Sequence, residues 1–401
     1  MKEPKQISYV AIAEQFADER DDIMPIIESV LAGGNYVGGP AIDRLEEEVA
    51  RFVGVKHCVA LNSGTDALML GMKCLGIGPG DEVITPPNSF IASTAAIANL
   101  GAVPVFVDAG PDQNIDVSLI EAAITPKTRA IMPVHLTGRV CDMDPVLALA
   151  DKHGLTVIED AAQAMGAAYK GRRAGSIGNV GCFSAHPLKI FNSCGDGGLA
   201  TTNDDKIAER IRHLRNHGLI DRDTVVEFGY VSRMDVLQAE ILRYRLPRLG
   251  RTIAIRKRNA AVYRELLDPN YAFIPPAKDY EDNTFTMFVA QFDRRDELQS
   301  YLKDNGVATG VHYPTPIHLQ PAARRYGGKP GDFPVIERQS KRILSLPHHQ
   351  FLTEDQIRHI SGLVNAFFRD YVGGLNYLPV ATPALSPPYQ GGARGGCCRC
   401  P

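Results

Sequence analysis

Between residues 55 and 165, short apolar runs alternate with segments of helical periodicity, and this alternation constrains the fold more than any other feature. The runs carry almost no charge, as strands do when helices cover both faces of a parallel sheet. An α/β protein is therefore predicted. The strand and helix pairs are HCVAL with TDALMLGMKCLG, EVITPP with IASTAAIANLG, VPVFVDA with SLIEAAI, and AIMPVHL with DPVLALADKHG, and TVIED is the next strand.

The alternation of apolar runs and helical segments ends after Ala174, which indicates a second, smaller unit. A glycine-rich stretch is followed by several helical segments and one clear strand, TFTMFVAQF. We therefore expect a large domain over residues 1–250, with a mostly parallel sheet between helices, and a small C-terminal α+β domain over residues 251–375. Residues 376–401 are rich in proline and glycine and lack periodicity, so they are predicted to be a disordered tail.

Cysteine spacing indicates neither a disulfide framework nor a metal site. Cys397 and Cys400 have CxxC spacing in the tail, but no second pair completes a tetrahedral site, so no metal is predicted. The other cysteines outside the tail are scattered singly, and we expect free, buried thiols in a reducing compartment. These single residues are Cys58, Cys74, Cys141, Cys182 and Cys194.

Charge and hydropathy exclude several classes of function. A formal net charge of -3, with no long Lys/Arg cluster, argues against binding to nucleic acid or to an anionic membrane. Residues 1–22 are charged throughout and contain no apolar signal core. Residues 83–107 are uncharged, but prolines, asparagines and a glycine divide them into a strand, a helix and a strand. A cytoplasmic protein that acts on a small molecule is predicted.

Two polar features follow predicted strands. Ser63-Gly64-Thr65-Asp66 leaves the HCVAL strand and opens a helix, where small residues and free N–H groups favour an anion. Taken alone, these residues are better explained as an ordinary N-cap. Asp160 ends the TVIED strand, at the edge where open α/β sheets bind ligands. A solvated or capping aspartate is an equally good interpretation of that residue alone.

A third feature is a lysine in surroundings that are nearly free of charge. Lys189 ends the segment Ser-Ala-His-Pro-Leu-Lys and precedes a flexible Gly-Asp-Gly-Gly turn. A lysine in such a place can have a lowered pKa and act as an amine nucleophile, although most lysines lie at the surface. Pyridoxal phosphate needs a lysine for its aldehyde, a carboxylate for its pyridine nitrogen and a cradle for its phosphate. The sequence supplies all three in one chain.

With these features in place, the chain resembles the DegT-type nucleotide-sugar aminotransferases, a branch of the aspartate-aminotransferase (fold type I) superfamily. The resemblance covers roughly residues 38–367, and the set of motifs in this order is far more specific than any one of them. The motifs are SGTDAL, PNSFIAS, VHLTG, IEDAAQAMGA, FSAHPLK, GDGG, SRMDVLQAEIL, HYPTPIHLQ and LSLP. The resemblance implies a pyridoxal-phosphate enzyme with a large domain of fold type I and a mixed, mostly parallel sheet.

The resemblance also implies a role for each matching residue. Lys189 matches the lysine that binds the cofactor aldehyde and moves the substrate proton, and Asp160 matches the partner of the pyridine nitrogen. Gln163 matches a glutamine that contacts the ring hydroxyl, and Phe90 an aromatic residue that stacks on the ring. The phosphate cradle is matched by Gly64, Thr65 and Ser184. Homodimers with shared active sites and glutamate as amino donor are further implications.

The resemblance leaves the substrate contacts and one cofactor contact open. His186, His312 and His318 are candidate substrate contacts near the mouth of the site. Family members often carry asparagine where this chain has Val231, and that asparagine reaches the phosphate of the neighbouring subunit. Valine cannot form this hydrogen bond, so either cofactor affinity is weaker or a neighbouring residue replaces it.

Two other functions are compatible with the same resemblance. A sugar dehydratase on this fold has histidine in place of the lysine, so Lys189 argues against it. A regulatory binding protein without catalysis is the other alternative, and the complete set of catalytic residues argues against that role. The predicted reaction is therefore amino transfer from glutamate to a keto group of a nucleotide-linked sugar, in amino-sugar and polysaccharide biosynthesis. The Gly-Asp-Gly-Gly turn favours a 3-keto sugar over a 4-keto sugar by association.

Overall fold

The computed structural model describes residues 6–372. Its strands in chain order are β1 (His57–Leu61), β2 (Glu82–Thr85), β3 (Val103–Phe106), β4 (Thr128–Ile131), β5 (Thr156–Asp160), β6 (Ala168–Tyr169), β7 (Arg172–Arg173), β8 (Val180–Ser184), β9 (Gly198–Thr202), β10 (Ala272–Phe273), β11 (Glu281–Asp282), β12 (Phe288–Phe292) and β13 (Ile343–Leu346). Its α-helices are α1 (Ile12–Gly33), α2 (Pro40–Val53), α3 (Gly64–Cys74), α4 (Ile91–Asn99), α5 (Met143–His153), α6 (Asp205–Leu214), α7 (Val236–Arg245), α8 (Leu249–Leu266), α9 (Arg295–Asp304), α10 (Pro334–Ser340) and α11 (Glu354–Val372).

A seven-stranded sheet with the order β1-β9-β8-β5-β4-β2-β3 forms the centre of the protein. The neighbours from β8 to β3 run parallel, and β9 runs antiparallel between β8 and β1. As a consequence β1, β5 and β8 point the same way, and their carboxyl ends lie at one edge of the sheet. The residues that follow these three strands are those that the sequence singled out.

Two apolar cores cover the two faces of this sheet. Alternate residues of a strand point to opposite faces, and Val157 belongs to one core whereas its neighbour Ile158 belongs to the other. The same division separates Ala60 from Leu61 in β1. Helices therefore pack on both sides of the sheet, which confirms the predicted α/β class.

The C-terminal part of the described chain forms a smaller α+β layer. The three-stranded antiparallel sheet β10-β12-β13 packs with α8, α9 and α11 around a third apolar core. The buried rings of Tyr263 and Phe288 stack in this core with centroids 4.7 Å apart. A second small sheet, β11-β6-β7, joins this part to the large sheet, because β6 follows β5 directly in the chain.

The segment SLIEAAI differs from the sequence prediction. It was expected to be a helix, but it forms two short 3-10 turns, Val117–Leu119 and Glu121–Ala123. Ile124 is already extended (φ -73°, ψ 129°), and Pro126 follows two residues later. Asp116 caps the first turn, and Pro126 ends the segment, because a proline disfavours helical geometry in the residue before it.

Three expectations about composition can be compared with the described residues. No helix within residues 6–372 combines the length and the apolar character that a membrane span requires. Within the same range no cluster of three potential metal ligands occurs.

The five described cysteines are free thiols, as expected. Cys58, Cys141 and Cys182 are buried and Cys74 is half-buried, but Cys194 is exposed, because it lies in a surface turn. The predicted tail and its CxxC pair lie outside the described residues.

Candidate active site

Asp160 is fixed at the carboxyl end of β5 with only 5% of its surface exposed. Its N–H donates to the carbonyl of Pro133, and its carbonyl accepts from the N–H of His135, both at 3.0 Å. Its carboxylate is held as well: Oδ2 accepts from the Ser93 hydroxyl at 2.6 Å, and Oδ1 from the N–H of Ala162 at 3.2 Å. The orientation of the carboxylate is therefore set before any ligand arrives.

The start of α3 offers free N–H groups close to Asp160. Ser63 caps the helix, because its Oγ accepts from the N–H of Asp66 at 3.1 Å. The N–H groups of Gly64 and Thr65 have no acceptor within the helix, as is usual in a first turn. A Cβ on Gly64 would lie 2.7 Å from the Cβ of Ser184, so only glycine fits there. The cap interpretation is confirmed, and the cap leaves two N–H donors that an anion can use.

Lys189 lies in the loop after β8, and its N–H donates to the carbonyl of His186 at 2.8 Å. Burial lowers the pKa of its amine, and the negative charge of Asp160 counteracts this only in part. Among residues 6–372, no carboxylate lies within 4 Å of the amine to form an ion pair. An amine of this kind is suited to nucleophilic attack on an aldehyde.

Lys189, Asp160 and the start of α3 face one cavity of about 320 Å³. This volume lies within the range usual for small-molecule sites, roughly 300–1,000 Å³. Asp160 and Lys189 line this cavity without forming an ion pair, and the charge of Asp160 partly counteracts the lowering of the lysine pKa. An amine, an oriented carboxylate and free N–H donors around one cavity fit the aldehyde, the ring nitrogen and the phosphate of pyridoxal phosphate.

The remaining predicted cofactor residues line the same cavity. Ser184 ends β8, and its Oγ accepts from the N–H of His186 at 3.3 Å. The side chain of Gln163 is fixed between two groups: Oε1 accepts from the N–H of Thr137 at 2.6 Å, and Nε2 donates to the hydroxyl of Tyr313 at 3.3 Å.

Phe90 lies on the open side of the cavity and is 54% exposed. Its ring is tilted against Tyr313, with centroids 5.8 Å apart. The structure thus brings together every cofactor residue that the sequence predicted.

Of the three predicted substrate histidines, the structure places two at the cavity. His186 is exposed at its rim, and His312 lines its wall with Nδ1 2.8 Å from the Ser345 hydroxyl. His318 lies outside the cavity and is 1% exposed, with Nε2 3.1 Å from Glu337. The structure therefore does not bring His318 to this cavity. The chain turns into a 3-10 helix at Ile317–Leu319, and this turn directs the imidazole into the protein.

Stability is expected to depend on pH through His312. Burial, and next the charge of Lys189, lower the pKa of His312 from 6.5 to about 4. The unfolded chain therefore binds more protons below pH 6.5, and stability falls as the pH drops through this range. Between pH values of about 7.5 and 5.5, we expect the wild type to lose about 1.4 kcal/mol more unfolding free energy than the His312→Gln variant. Urea titrations at both pH values measure this difference, and equal losses would contradict it.

The structure shows which neighbours of Val231 are free to form the hydrogen bond that an asparagine would make at that position. Its side chain is 55% exposed on a hairpin-like segment whose residues Asn216 and Val231 pair as a β-bridge. Ser232 is fully buried in its own subunit, where its Oγ accepts from the N–H of Asn62 at 3.4 Å, so it cannot replace the missing asparagine. Arg233 is exposed, and its Nη1 donates to Oδ1 of Asn216 at 3.2 Å.

Three residues of the site were not found from the sequence. Ser93 orients Asp160, Tyr313 bonds to Gln163, and Tyr9 stacks on His312 with ring centroids 5.7 Å apart. Ser93 and Tyr313 lie within motifs that the sequence supplied, PNSFIAS and HYPTPIHLQ, and were the available signal. Tyr9 belongs to no such motif, so nothing in the sequence marked it.

Comparison with known proteins is consistent with this site. Residues 17–365 match the model of the DegT/DnrJ/EryC1/StrS aminotransferase family. A relative from Pseudomonas aeruginosa, named UDP-2-acetamido-2-deoxy-3-oxo-D-glucuronate aminotransferase, is 41% identical over 88% of this chain and 98% of its own. A relative from Geobacillus stearothermophilus, named pleiotropic regulatory protein, is 39% identical over 90% of this chain and 98% of its own.

Solved structures share the fold. DesV of S. venezuelae, solved in complex with a ketimine intermediate, superimposes with a TM-score of 0.88 at 39% identity, over 90% of this chain and 98% of DesV. Other structural neighbours were solved in pyridoxal-phosphate and pyridoxamine-phosphate forms. The large domain therefore has fold type I.

Proposed function

Because this chain belongs to the DegT/DnrJ/EryC1/StrS aminotransferase family and is a pyridoxal-phosphate-dependent transaminase, we propose that it moves an amino group from glutamate to a keto group of a nucleotide-linked sugar. A 3-keto sugar is favoured over a 4-keto sugar, and the product serves amino-sugar and polysaccharide biosynthesis. The observation that carries the proposal is the unpaired amine of Lys189 in the same cavity as the oriented carboxylate of Asp160.

Pyridoxal phosphate, when bound, withdraws electrons from the carbon that carries the amino group and so makes its proton acidic. The protein supplies the groups that hold the cofactor and move the proton. Asp160 keeps a proton on the ring nitrogen by its negative charge, and Ser93 keeps the carboxylate pointed at it. The N–H groups of Gly64 and Thr65, at the positive end of α3, bind the phosphate.

Lys189 has two roles in this proposal. Its amine would hold the cofactor aldehyde, and as a free amine it would accept and return the proton of the carbon that carries the amino group. Burial lowers the pKa of this amine and so favours its neutral form, which both roles require. Gln163 contacts the hydroxyl group of the cofactor ring in this proposal, and Phe90 covers the open face of the cavity.

The preference for a 3-keto sugar has two supports. The relative from Pseudomonas aeruginosa carries a 3-oxo sugar in its name, and the Gly-Asp-Gly-Gly turn is associated with such substrates. The test is product analysis with a panel of 3-keto and 4-keto nucleotide sugars, with glutamate as donor. We expect amination of 3-keto sugars, and amination of 4-keto sugars alone would contradict the preference.

We further propose a homodimer in which a second copy covers the open side of the cavity. Phe228, in the hairpin-like segment, is 95% exposed, and Val226 beside it is 57% exposed. Phe90 and Leu188, at the cavity itself, are each 54% exposed. Large apolar side chains in such positions are typical of surfaces that another protein covers. A cytoplasmic location is proposed as well, since all the described cysteines are free.

The Phe228→Asp variant is expected to dissociate at least about tenfold more readily than the wild type, because a buried aromatic ring at an interface contributes more than about 1–2 kcal/mol. Sedimentation equilibrium measures the dimer dissociation constant directly. Leu119→Asp is the matched control, since Leu119 is 45% exposed but lies outside the hairpin-like segment and the cavity wall. A monomeric wild type, or equal dissociation of both variants, would refute the interface.

A further inference from the structure

A second, smaller cavity lies next to the active site, on the other side of Lys189. Its walls come from the beginning of α1, the turn after Lys189, the first part of α8 and residues 348–350. The two cavities share five wall residues, so a ligand in one is close to the amine that faces the other. The shared residues are Leu188, Lys189, Thr286, Met287 and His312.

The distinctive feature of this cavity is a positive charge without a counter-charge. The Arg256 guanidinium donates to neutral oxygens: from Nη1 to the carbonyl of Thr286 at 2.8 Å, and from Nη2 to Oε1 of Gln350 at 3.1 Å. Its Nε has no partner. Among residues 6–372, no carboxylate lies within 4 Å of it to form an ion pair. Arg256 is half-buried, with its Nε fully enclosed, and a charge removed from water in this way is costly unless something pairs with it.

The other arginines of the cavity are already paired. Arg245 lies 2.5 Å from Glu19, and Arg248 lies 3.6 Å from Asp22. Arg256 and Lys189 are therefore the two cations of the wall that lack a carboxylate partner. Burial lowers the pKa of Arg256 to about 10, which still leaves it charged near neutral pH.

The neighbouring side chains can donate hydrogen bonds but add no negative charge. Burial raises the pKa of Tyr9 to about 12, so its hydroxyl keeps its proton. Burial, and next the charge of Arg256, lower the pKa of His348 and of His349, so both imidazoles are neutral. The unpaired Arg256 thus has neutral polar groups beside it, while Arg245 and Glu19 neutralise each other in the same wall. This arrangement suits a single small anion.

The size of the cavity limits which anion can enter. Its volume is about 110 Å³, against about 320 Å³ for the cofactor cavity. A site of this size holds a carboxylate with a short carbon chain, and it is well below the roughly 300 Å³ that larger ligands usually need. A nucleoside diphosphate does not fit in it.

We propose that this cavity binds a carboxylate of the amino-acid donor, with Arg256 as its counter-charge and the hydroxyl of Tyr9 as a hydrogen-bond donor. The inference rests on the proposed transaminase function and adds the donor subsite to it. An amino acid carries its amine and its carboxylate a few bonds apart. A donor anchored at Arg256 can therefore present its amine on the Lys189 side, while the keto-sugar uses the larger cavity.

The test uses glutarate, which has the two carboxylates of glutamate but no amine, titrated calorimetrically into the holoenzyme. We expect Arg256→Gln to weaken glutarate binding at least tenfold and Tyr9→Phe to weaken it about threefold, with UDP binding unchanged in both. Equal glutarate affinity in wild type and Arg256→Gln would overturn the subsite. A loss of UDP binding with glutarate unaffected would also overturn it, because the cavity would then serve the nucleotide.

Arg256 also holds the chain at Thr286, so a crystal of the wild-type holoenzyme soaked in glutarate gives a result that does not depend on a variant. A carboxylate between Arg256 and Tyr9 is expected, and glutarate bound only elsewhere would overturn the proposal. The proposed function is tested separately by adding L-glutamate to the wild type and recording the absorbance of the bound cofactor. No spectral change would refute glutamate as donor, whatever glutarate does.

Discussion

Replacing Lys189 by alanine is expected to lower the rate of amino transfer at least about 10⁴-fold. The substitution removes a general acid–base group, which alone contributes about 10²–10⁴-fold, and it removes the amine that holds the cofactor. Because alanine leaves only a small gap beside the cavity, the fold should persist. The rate of amino-sugar formation from a keto-sugar and glutamate measures the effect, and the absorbance of the purified protein reports whether the cofactor is still covalently bound.

The matched control for this prediction is Lys170→Ala. Lys170 is exposed, pairs with Asp144 at 2.6 Å and does not line the cofactor cavity. We expect this variant to keep the wild-type rate and absorbance. Amino-sugar formation at the wild-type rate by the Lys189→Ala variant would refute the proposed role of the lysine and the transaminase mechanism with it.

The central features of the site could be predicted because each depends on local sequence. Asp160 ends a strand that is apolar over its whole length, and parallel strands bring their carboxyl ends to one edge. Gly64 opens a helix directly after another such strand. Lys189 lies in a stretch almost without charge, so its burial could be inferred from its neighbours. In each of these cases, a few adjacent residues are enough to mark the residue as a candidate for the site.

The features that were missed depend on contacts between distant parts of the chain. Ser93 meets Asp160 across 67 residues, and Tyr9 meets His312 across about 300. The first helix, α1, was not predicted, because only Gln15 and Ile23 of its residues are buried, and so the sequence shows no regular apolar face. His318 was a candidate substrate contact because it lies with His312 in the motif HYPTPIHLQ. The 3-10 turn at Ile317–Leu319 directs its imidazole away from the cavity that His312 lines.

The charge of Asp160 gives rise to the second large prediction. Asparagine has the same shape: its Oδ1 can accept from the N–H of Ala162, and its Nδ2 can donate to the hydroxyl oxygen of Ser93, so Asp160→Asn is expected to fold and bind the cofactor through Lys189. It cannot keep a proton on the ring nitrogen by charge. Breaking a buried charge pair costs about 3–5 kcal/mol, so we expect kcat to fall roughly 10²–10⁴-fold. Steady-state rates with glutamate and a keto-sugar measure this.

Ser93→Ala separates orientation from charge. It removes the 2.6 Å hydrogen bond to Oδ2 but leaves the carboxylate charged and held by Ala162. A hydrogen bond to a charged group contributes about 1.5–3 kcal/mol, so we expect a loss near the lower end, about tenfold, and smaller than that of Asp160→Asn. If Asp160→Asn kept kcat within about threefold of the wild type, Asp160 would not be the partner of the ring nitrogen. The cofactor would then have to lie in the cavity in another orientation.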